Sequence, residues 1–215
     1  MEREVAEILL GIKAVTLRVN PPYKWVSGIF APIYTDNRLL MSYPAERETI
    51  VKCLVRSIEE LGLKADVVAG VATSGIPWAA WVAERMCKPM IYARPKAKEH
   101  GKENLVEGGL KKGQNVVLIE DLISTGGSSV GAVEAIRKCG GVVDHCLAIF
   151  TYELPEAEKN FGRAKCKALT LTNFSTIIKV ATEMGYIDKK DKEKILEWSR
   201  NPAAWGRKMG FGGKC

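Results

Sequence analysis

Along the chain, apolar residues first recur at helical spacing. Val5, Ile8, Leu9 and Ile12 predict an amphipathic helix over Met1 to about Ala14. An irregular stretch with Pro21 and Pro22 follows, then short apolar pieces around Ile29 and Ile33. A second helix is predicted to begin near Pro44, a residue tolerated in a first turn. Ile50, Leu54, Ile58 and Leu61 form its expected buried stripe, and Gly62 ends it. Beyond Gly62 the period changes. Short apolar runs predict strands over 65–72, 90–93, 115–119, 142–150 and 168–171. Helical patterns lie over 76–86, over 128–139 (stopped by Gly140-Gly141), and near 174–184 and 189–198. Continuous β-branched runs separated by helices predict an α/β fold with a parallel sheet covered on both faces. We expect one domain over 1–215: a helix and small appendage over about 1–40, a core over about 63–172, and C-terminal helices with a basic tail over about 173–215.

Composition adjusts this picture little. The 215 residues suit one domain, and 47% apolar with 27% charged residues is enough for a core and excludes general disorder. The 32 Lys and Arg against 25 Asp and Glu leave a formal net charge of +7, mild for this length. Most of it is local. Arg94–Lys102 holds four basic residues and one acid, Arg200–Cys215 holds four and no acid, and the rest of the chain balances. That distribution argues against general nucleic-acid affinity. Met1-Glu2-Arg3-Glu4 lacks the basic-then-apolar order of a secretory signal. The uncharged stretch Val67–Ala83 is shorter than the ~20 apolar residues of a membrane span. Thr73-Ser74-Gly75 and Pro77 interrupt it, so a soluble, cytoplasmic protein is expected. The six cysteines form no C-x-x-C pair, and His100 and His145 give no zinc spacing, so reduced structural thiols are expected.

The strongest chemical signal runs from Val116 through Glu120-Asp121 and Leu122-Ile123 into Ser124-Thr125-Gly126-Gly127-Ser128. An apolar strand leads to two acids, then a turn of small and hydroxyl residues, then a helix. In parallel sheets, ligands gather at the carboxyl ends of strands. A small-residue turn at a helix N-terminus offers N–H groups, hydroxyls and the positive end of the helix dipole, which together make a phosphate cradle. The acids beside it suit a ligand that also carries hydroxyls, such as ribose, or a Mg²⁺ ion. The plainer alternative is a solvated corner whose acids cap the helix. Neither the P-loop nor the dinucleotide fingerprint occurs. Between the strands ending at Ala93 and starting near Asn115 lies a long connection in which Arg94, Lys96, Lys98, His100 and Lys102 alternate with small and polar residues. It reads equally as a solvated charged loop or as a lid for a polyphosphate. Thr73, Ser74 and Gly75 end another strand, where a plain helix-capping turn is the alternative.

The segment Val116–Ser128 resembles the ribose-phosphate motif of the type I phosphoribosyltransferases. Three further segments narrow the resemblance to the orotate phosphoribosyltransferases: Trp25–Arg38, Gly70–Pro77 and Arg94–Gly101, in the family's order, with similarity from about Tyr23 to Thr172. The resemblance implies the type I phosphoribosyltransferase fold, with the N-terminal appendage as a hood. It also implies transfer of phosphoribosyl from 5-phosphoribosyl-1-pyrophosphate to orotate, with Mg²⁺ held mainly by substrate oxygens and water. By the same resemblance Arg94, Lys98, His100 and Asp121 are catalytic. The phosphoribosyl donor falls to Arg94, Lys98, His100, Glu120, Asp121, Leu122, Ile123, Ser124, Thr125, Gly126, Gly127, Ser128, Thr73, Ser74 and Gly75. Orotate falls to Ser124, Ser27, Gly28, Tyr34 and Arg38. The basic connection becomes a catalytic loop shared across a homodimer.

Two positions depart from the family's pattern. Val26 stands where many relatives have Lys before Ser-Gly, with Lys24 two positions earlier, and Arg94 is followed by Pro95 where many have Lys. The alternatives are a purine-type phosphoribosyltransferase, which would not need the hood or Arg94–Gly101, and a non-catalytic sensor of the donor that binds nucleic acid. The sensor would lack the loop lysines and carry a basic helix, whereas Lys98 and His100 are present and Met1–Ala14 is not basic.

Overall fold

The computed structural model describes residues 1–25, 27–94 and 105–211. The N-terminal part comprises α1 (Glu2–Gly11), β1 (Val15–Leu17), β2 (Tyr23–Lys24), β3 (Phe30–Ala31), β4 (Ile33–Thr35) and a 3-10 helix (Asn37–Ser42). The core follows as α2 (Pro44–Glu60), β5 (Val67–Val71), α3 (Gly75–Arg85), β6 (Met90–Ala93), β7 (Val106–Glu107), β8 (Asn115–Ile123), α4 (Gly127–Lys138), β9 (Val142–Thr151), α5 (Pro155–Arg163) and β10 (Lys167–Asn173). Helices α6 (Phe174–Glu183), α7 (Lys189–Arg200) and α8 (Pro202–Lys208) close the described chain.

One sheet has the order β10-β9-β8-β5-β6-β7, parallel except for β7, which pairs antiparallel with β6. The unbroken apolar runs of the sequence are explained by burial on both sides. Val117, Ile119, Leu147 and Ile149 pack with residues of α1, α2, α3 and α6. Val116, Leu118, Cys146 and Ala148 pack with residues of α4 and α5 on the other face. Chain direction fixes where a ligand can sit. From β5 the chain moves outward through α3 to β6, whereas from β8 it moves the opposite way through α4 to β9 and β10. The reversal between β5 and β8 opens a crevice at their carboxyl ends.

Several expectations need correction. Leu61 is not part of the α2 stripe and is 54% exposed. It is the C-cap residue of α2, followed by Gly62 at φ +60°. The Gly62 N–H donates to Glu59 O and the Leu63 N–H to Ile58 O, so the apolar contact over the helix end passes to Leu63. The connection between Ala93 and Asn115 is not without structure, because β7 returns against β6 with Tyr92 opposite Glu107. Strand β8 does not stop at Ile119 but runs to Ile123, carried by β9: Glu120 pairs with Ala148 and Leu122 with Phe150. Helices α5 and α8 were not expected.

The hood consists of two small antiparallel pairs, β1 with β4 and β2 with β3. The C-terminal helices fold back onto it. The Trp198 indole N–H donates to Phe30 O at 3.0 Å, Trp205 donates to Lys194 O at 2.7 Å, and Gly206 lies against the Phe30 ring. Trp198 is fully buried between Trp25, Tyr152 and Phe174, with ring centroids 5.3, 5.6 and 5.4 Å away. Part of the expected basic tail is therefore packed helix, with Lys208 paired to Glu197 at 2.6 Å. Among the described residues no helix is long and apolar enough to cross a membrane.

Candidate active site

The crevice between β5 and β8 is shaped by a close approach. At Gly75, the first residue of α3, a Cβ would lie 2.5 Å from Ile119 O and 3.3 Å from Glu120 Cα. Only glycine lets the start of α3 rest on the β8 backbone. Pairing of β5 with β8 ends at Gly70 opposite Ile119. From Glu120 onward β8 has a strand partner on one side only. There a cavity of about 320 Å³ opens, lined by Thr35–Arg38, Ala72–Ser74, Glu120–Leu122 and Ser124–Ser129.

The phosphate-cradle turn forms one wall. Gly126 takes the left-handed φ of +78° as N-cap of α4, and a Cβ there would meet the Phe161 ring at 2.9 Å. No side chain caps α4, so among the described residues its first-turn N–H groups face the cavity without a side-chain acceptor, the kind of end that can take an anion. Helix α5 supports the turn from behind: Phe161 packs against Gly126, and the Asn160 amide donates to Thr125 O at 2.9 Å.

The acid pair forms the floor. Glu120 is 6% exposed; its carboxylate accepts from the Asp121 N–H at 3.1 Å and from the Ser129 hydroxyl at 3.4 Å. Burial, followed by the neighbouring Asp121 charge, pushes the Glu120 carboxyl well above the usual carboxylate range. Asp121 is also raised by burial. Above them, the Asn37 amide donates to Asp121 O at 2.6 Å, fastening the hood to β8, while its own Oδ1 is buried without a partner. Beside it Arg38 grips Asp36 with two bonds of 2.7 and 2.9 Å, holding that carboxyl below its ordinary value.

Of the residues expected from sequence, Arg38, Thr73, Ser74, Glu120, Asp121, Leu122, Ser124, Thr125, Gly126, Gly127 and Ser128 line this one cavity. Gly75 and Ile123 are buried directly behind it. Ser27 lines a second cavity of about 570 Å³ that shares Ser124 and Thr125 with the first. Gly28 (φ +84°) and Tyr34, which is 45% exposed, line neither. Arg94 also lines neither: its N–H donates to Leu105 O at 2.8 Å, and its guanidinium lies 5.5 Å from the Tyr92 ring centre. Lys98 and His100 fall outside the described residues, as do Val26 and Pro95. The sequence reading gave no role to Asn37, Ser129 or Asn160. Asn37 lay inside a quoted segment, but no local pattern distinguishes it. Among the described residues no group of three or more His, Cys, Asp or Glu could hold a metal by itself.

Residues 43–182 match the family model described as a phosphoribosyl transferase domain. The chain is 50% identical over 202 residues to the orotate phosphoribosyltransferase of Coxiella burnetii, covering 94% of this chain and 97% of that one. It is 51% identical over 207 residues to the protein of that name from Listeria innocua, with coverage of 96% and 99%. Among solved structures, the orotate phosphoribosyltransferase of Aeropyrum pernix superposes with a TM-score of 0.69 at 27% identity, over 84% of this chain and 99% of that one. An acid pair and an uncapped helix start facing one crevice fit these likenesses, and the chain belongs to the orotate phosphoribosyltransferase family, with the type I phosphoribosyltransferase fold.

Proposed function

We propose that the protein, acting as one phosphoribosyltransferase domain, transfers phosphoribosyl from 5-phosphoribosyl-1-pyrophosphate to a ring nitrogen of orotate, yielding orotidine 5′-phosphate and pyrophosphate for pyrimidine synthesis. The observation that carries this reading is the single cavity that joins a buried acid pair to an uncapped helix N-terminus. The cradle Leu122–Ser128 takes the 5′-phosphate on backbone N–H groups and hydroxyls. Glu120 and Asp121 accept from the ribose hydroxyls, and Thr73 and Ser74 meet the pyrophosphate. The carbon–nitrogen bond forms as the bond to the pyrophosphate oxygen breaks; pyrophosphate leaves with that electron pair, and the ring nitrogen gives its proton to solvent. Positive charge growing on the sugar is favoured by the adjacent carboxylates.

The donor set here fits Mg²⁺ held mainly by substrate oxygens and water, since the cavity offers three carboxyls, of which Asp36 is already gripped by Arg38, and several hydroxyls but, among the described residues, no full cage. When bound, Mg²⁺ neutralises charge on the leaving pyrophosphate. Lys98, Arg94 and His100 share that task. By resemblance to the family, Arg94 and the connection that follows it are assigned to the neighbouring subunit's site in a cytoplasmic homodimer. Ser124 and Ser27 face the base, with Gly28, Tyr34 and Arg38 completing the hood. Neither nucleic acid nor membrane is a partner in this reading.

The test supplies orotate, hypoxanthine or adenine with the donor and Mg²⁺, following orotate absorbance. Loss of orotate alone is expected. A protein that consumes only a purine, or none of the three, overturns the proposal. Sedimentation of the purified protein tests the dimer, and chelation of Mg²⁺ is expected to stop turnover.

A further inference from the structure

The second cavity holds a group that the sequence reading left without a purpose. It is walled by Trp25 and Ile29 of the hood, by Leu154, and by the junction of α7 and α8 at Arg200. It shares Ser124 and Thr125 with the first cavity, so the two adjoin, and a base joined to a sugar held in the first would lie toward the second. Its walls are largely apolar, as suits a flat ring. Among the described residues its lining carries one cation, Arg200, and one acid, Glu156.

Orotate differs from uracil by a carboxylate. Placing that anion in an apolar cavity beside Glu156 is unfavourable unless a cation accompanies it. We infer that Arg200 is the specificity-determining cation that pairs with the carboxylate of the base. The inference rests on the orotate reading above. Its backbone is well held for that task. Two residues earlier Trp198 is buried and bonded to Phe30 O at 3.0 Å, and one residue later the Asn201 side chain caps α8 by accepting from the Ala204 N–H at 3.2 Å. Arg200 is exposed, with the Glu197 carboxylate, itself paired to Lys208, as a nearby acid, and its planar fork suits a carboxylate.

The test compares wild type with Arg200→Gln, Arg200→Lys and Glu156→Gln in the full chain with Mg²⁺. A charge-assisted hydrogen bond corresponds to a roughly ten- to hundredfold effect. Arg200→Gln is expected to raise KM for orotate by that factor with KM for the donor within about twofold. It is also expected to erase most of the preference for orotidine 5′-phosphate over uridine 5′-phosphate, which differ only in the carboxylate. Arg200→Lys restores part of both, and Glu156→Gln lowers KM for orotate. An unchanged preference between the two nucleotides in Arg200→Gln, or in Arg200→Met should the first variant not fold, overturns the inference. So does an equal rise in KM for both substrates. Failure of the wild type to consume orotate would instead overturn the proposed function.

Discussion

The contact of Gly75 with the β8 backbone makes a quantitative prediction. In Gly75→Ala the new Cβ would lie 2.5 Å from Ile119 O, whereas ordinary contact begins near 3.4 Å, so α3 or β8 must yield by about 0.9 Å. The second atom it meets is Glu120 Cα, at 3.3 Å, and neither is the flexible end of a side chain. Overpacking of this kind typically costs about 1–3 kcal/mol, which for a chain of this size lowers Tm by roughly 2–12 °C. The shift separates Thr73 and Ser74 from the acid pair, and a misplacement of about 1 Å costs up to ~10² in rate. The expected result is a kcat/KM for the pyrophosphate donor about 10- to 100-fold below wild type, with a depressed Tm by scanning calorimetry. Gly162→Ala serves as the control. A Cβ there, inside α5, meets nothing within 4 Å, so it should be neutral or stabilise by up to about 1 kcal/mol. If Gly75→Ala keeps both the wild-type Tm and the wild-type kcat/KM, the close approach does not shape the site.

Other perturbations separate the parts of the proposal. Lys98→Ala, removing a partner of the leaving charge, is expected to lower kcat by roughly 10²–10³, read by the orotate absorbance assay. Asn160→Ala removes the bond to Thr125 O and should raise KM for the donor about two- to tenfold while leaving KM for orotate unchanged. In the ligand-free protein, burial and Asp121 raise the Glu120 carboxyl, so the folded state holds a proton that the unfolded chain releases, and stability falls as pH rises above the ordinary Glu value. Glu120→Gln removes the Glu120 share of that loss: its Tm relative to wild type should increase as pH rises above the ordinary Glu value while kcat/KM drops, and a pH-independent difference would refute the assignment.

The sequence shows the sheet more readily than the site because the two depend on contacts of different range. Strands buried on both faces leave continuous apolar runs, so β5, β6, β9 and most of β8 are visible in the pattern. The end of β8 is not, since Glu120 and Asp121 look like a strand terminus although β9 continues to pair with them. Helix α5 escapes notice because it buries only Ala157 and Phe161, one turn apart, too few for a periodic signal. The hood strands are two or three residues long and are held by distant partners: Phe30 O by Trp198, and the 3-10 helix by the bond from Asn37 to Asp121 O. The cradle and acid pair are legible from local order alone. Residue roles around them come from family resemblance, and the placing of Arg200 beside Ser124 requires the C-terminal helices to fold back onto the hood, which no local pattern encodes.

The acid pair links the stability of the fold to its chemistry. Two adjacent carboxyls, one of them almost wholly buried, are unfavourable as charges, because burial pushes both above the usual carboxylate range. The fold holds them there because β9 pairs along the whole carboxyl end of β8, Gly75 brings α3 close, and Asn37 secures the hood above. That cost is lowered only by a ligand that donates hydrogen bonds or carries positive charge at the right place. In the proposed reaction, ribose hydroxyls of the bound donor would supply the first, and a sugar becoming cationic as pyrophosphate departs would supply the second. On that proposal the interaction would strengthen from ground state to transition state, which is the condition for accelerating the step rather than merely binding the substrate. The same logic would place the gripping power of the proposed site in the uncharged turn at the start of α4. If the acids bound the whole donor tightly, the difference between its ground state and its transition state would shrink.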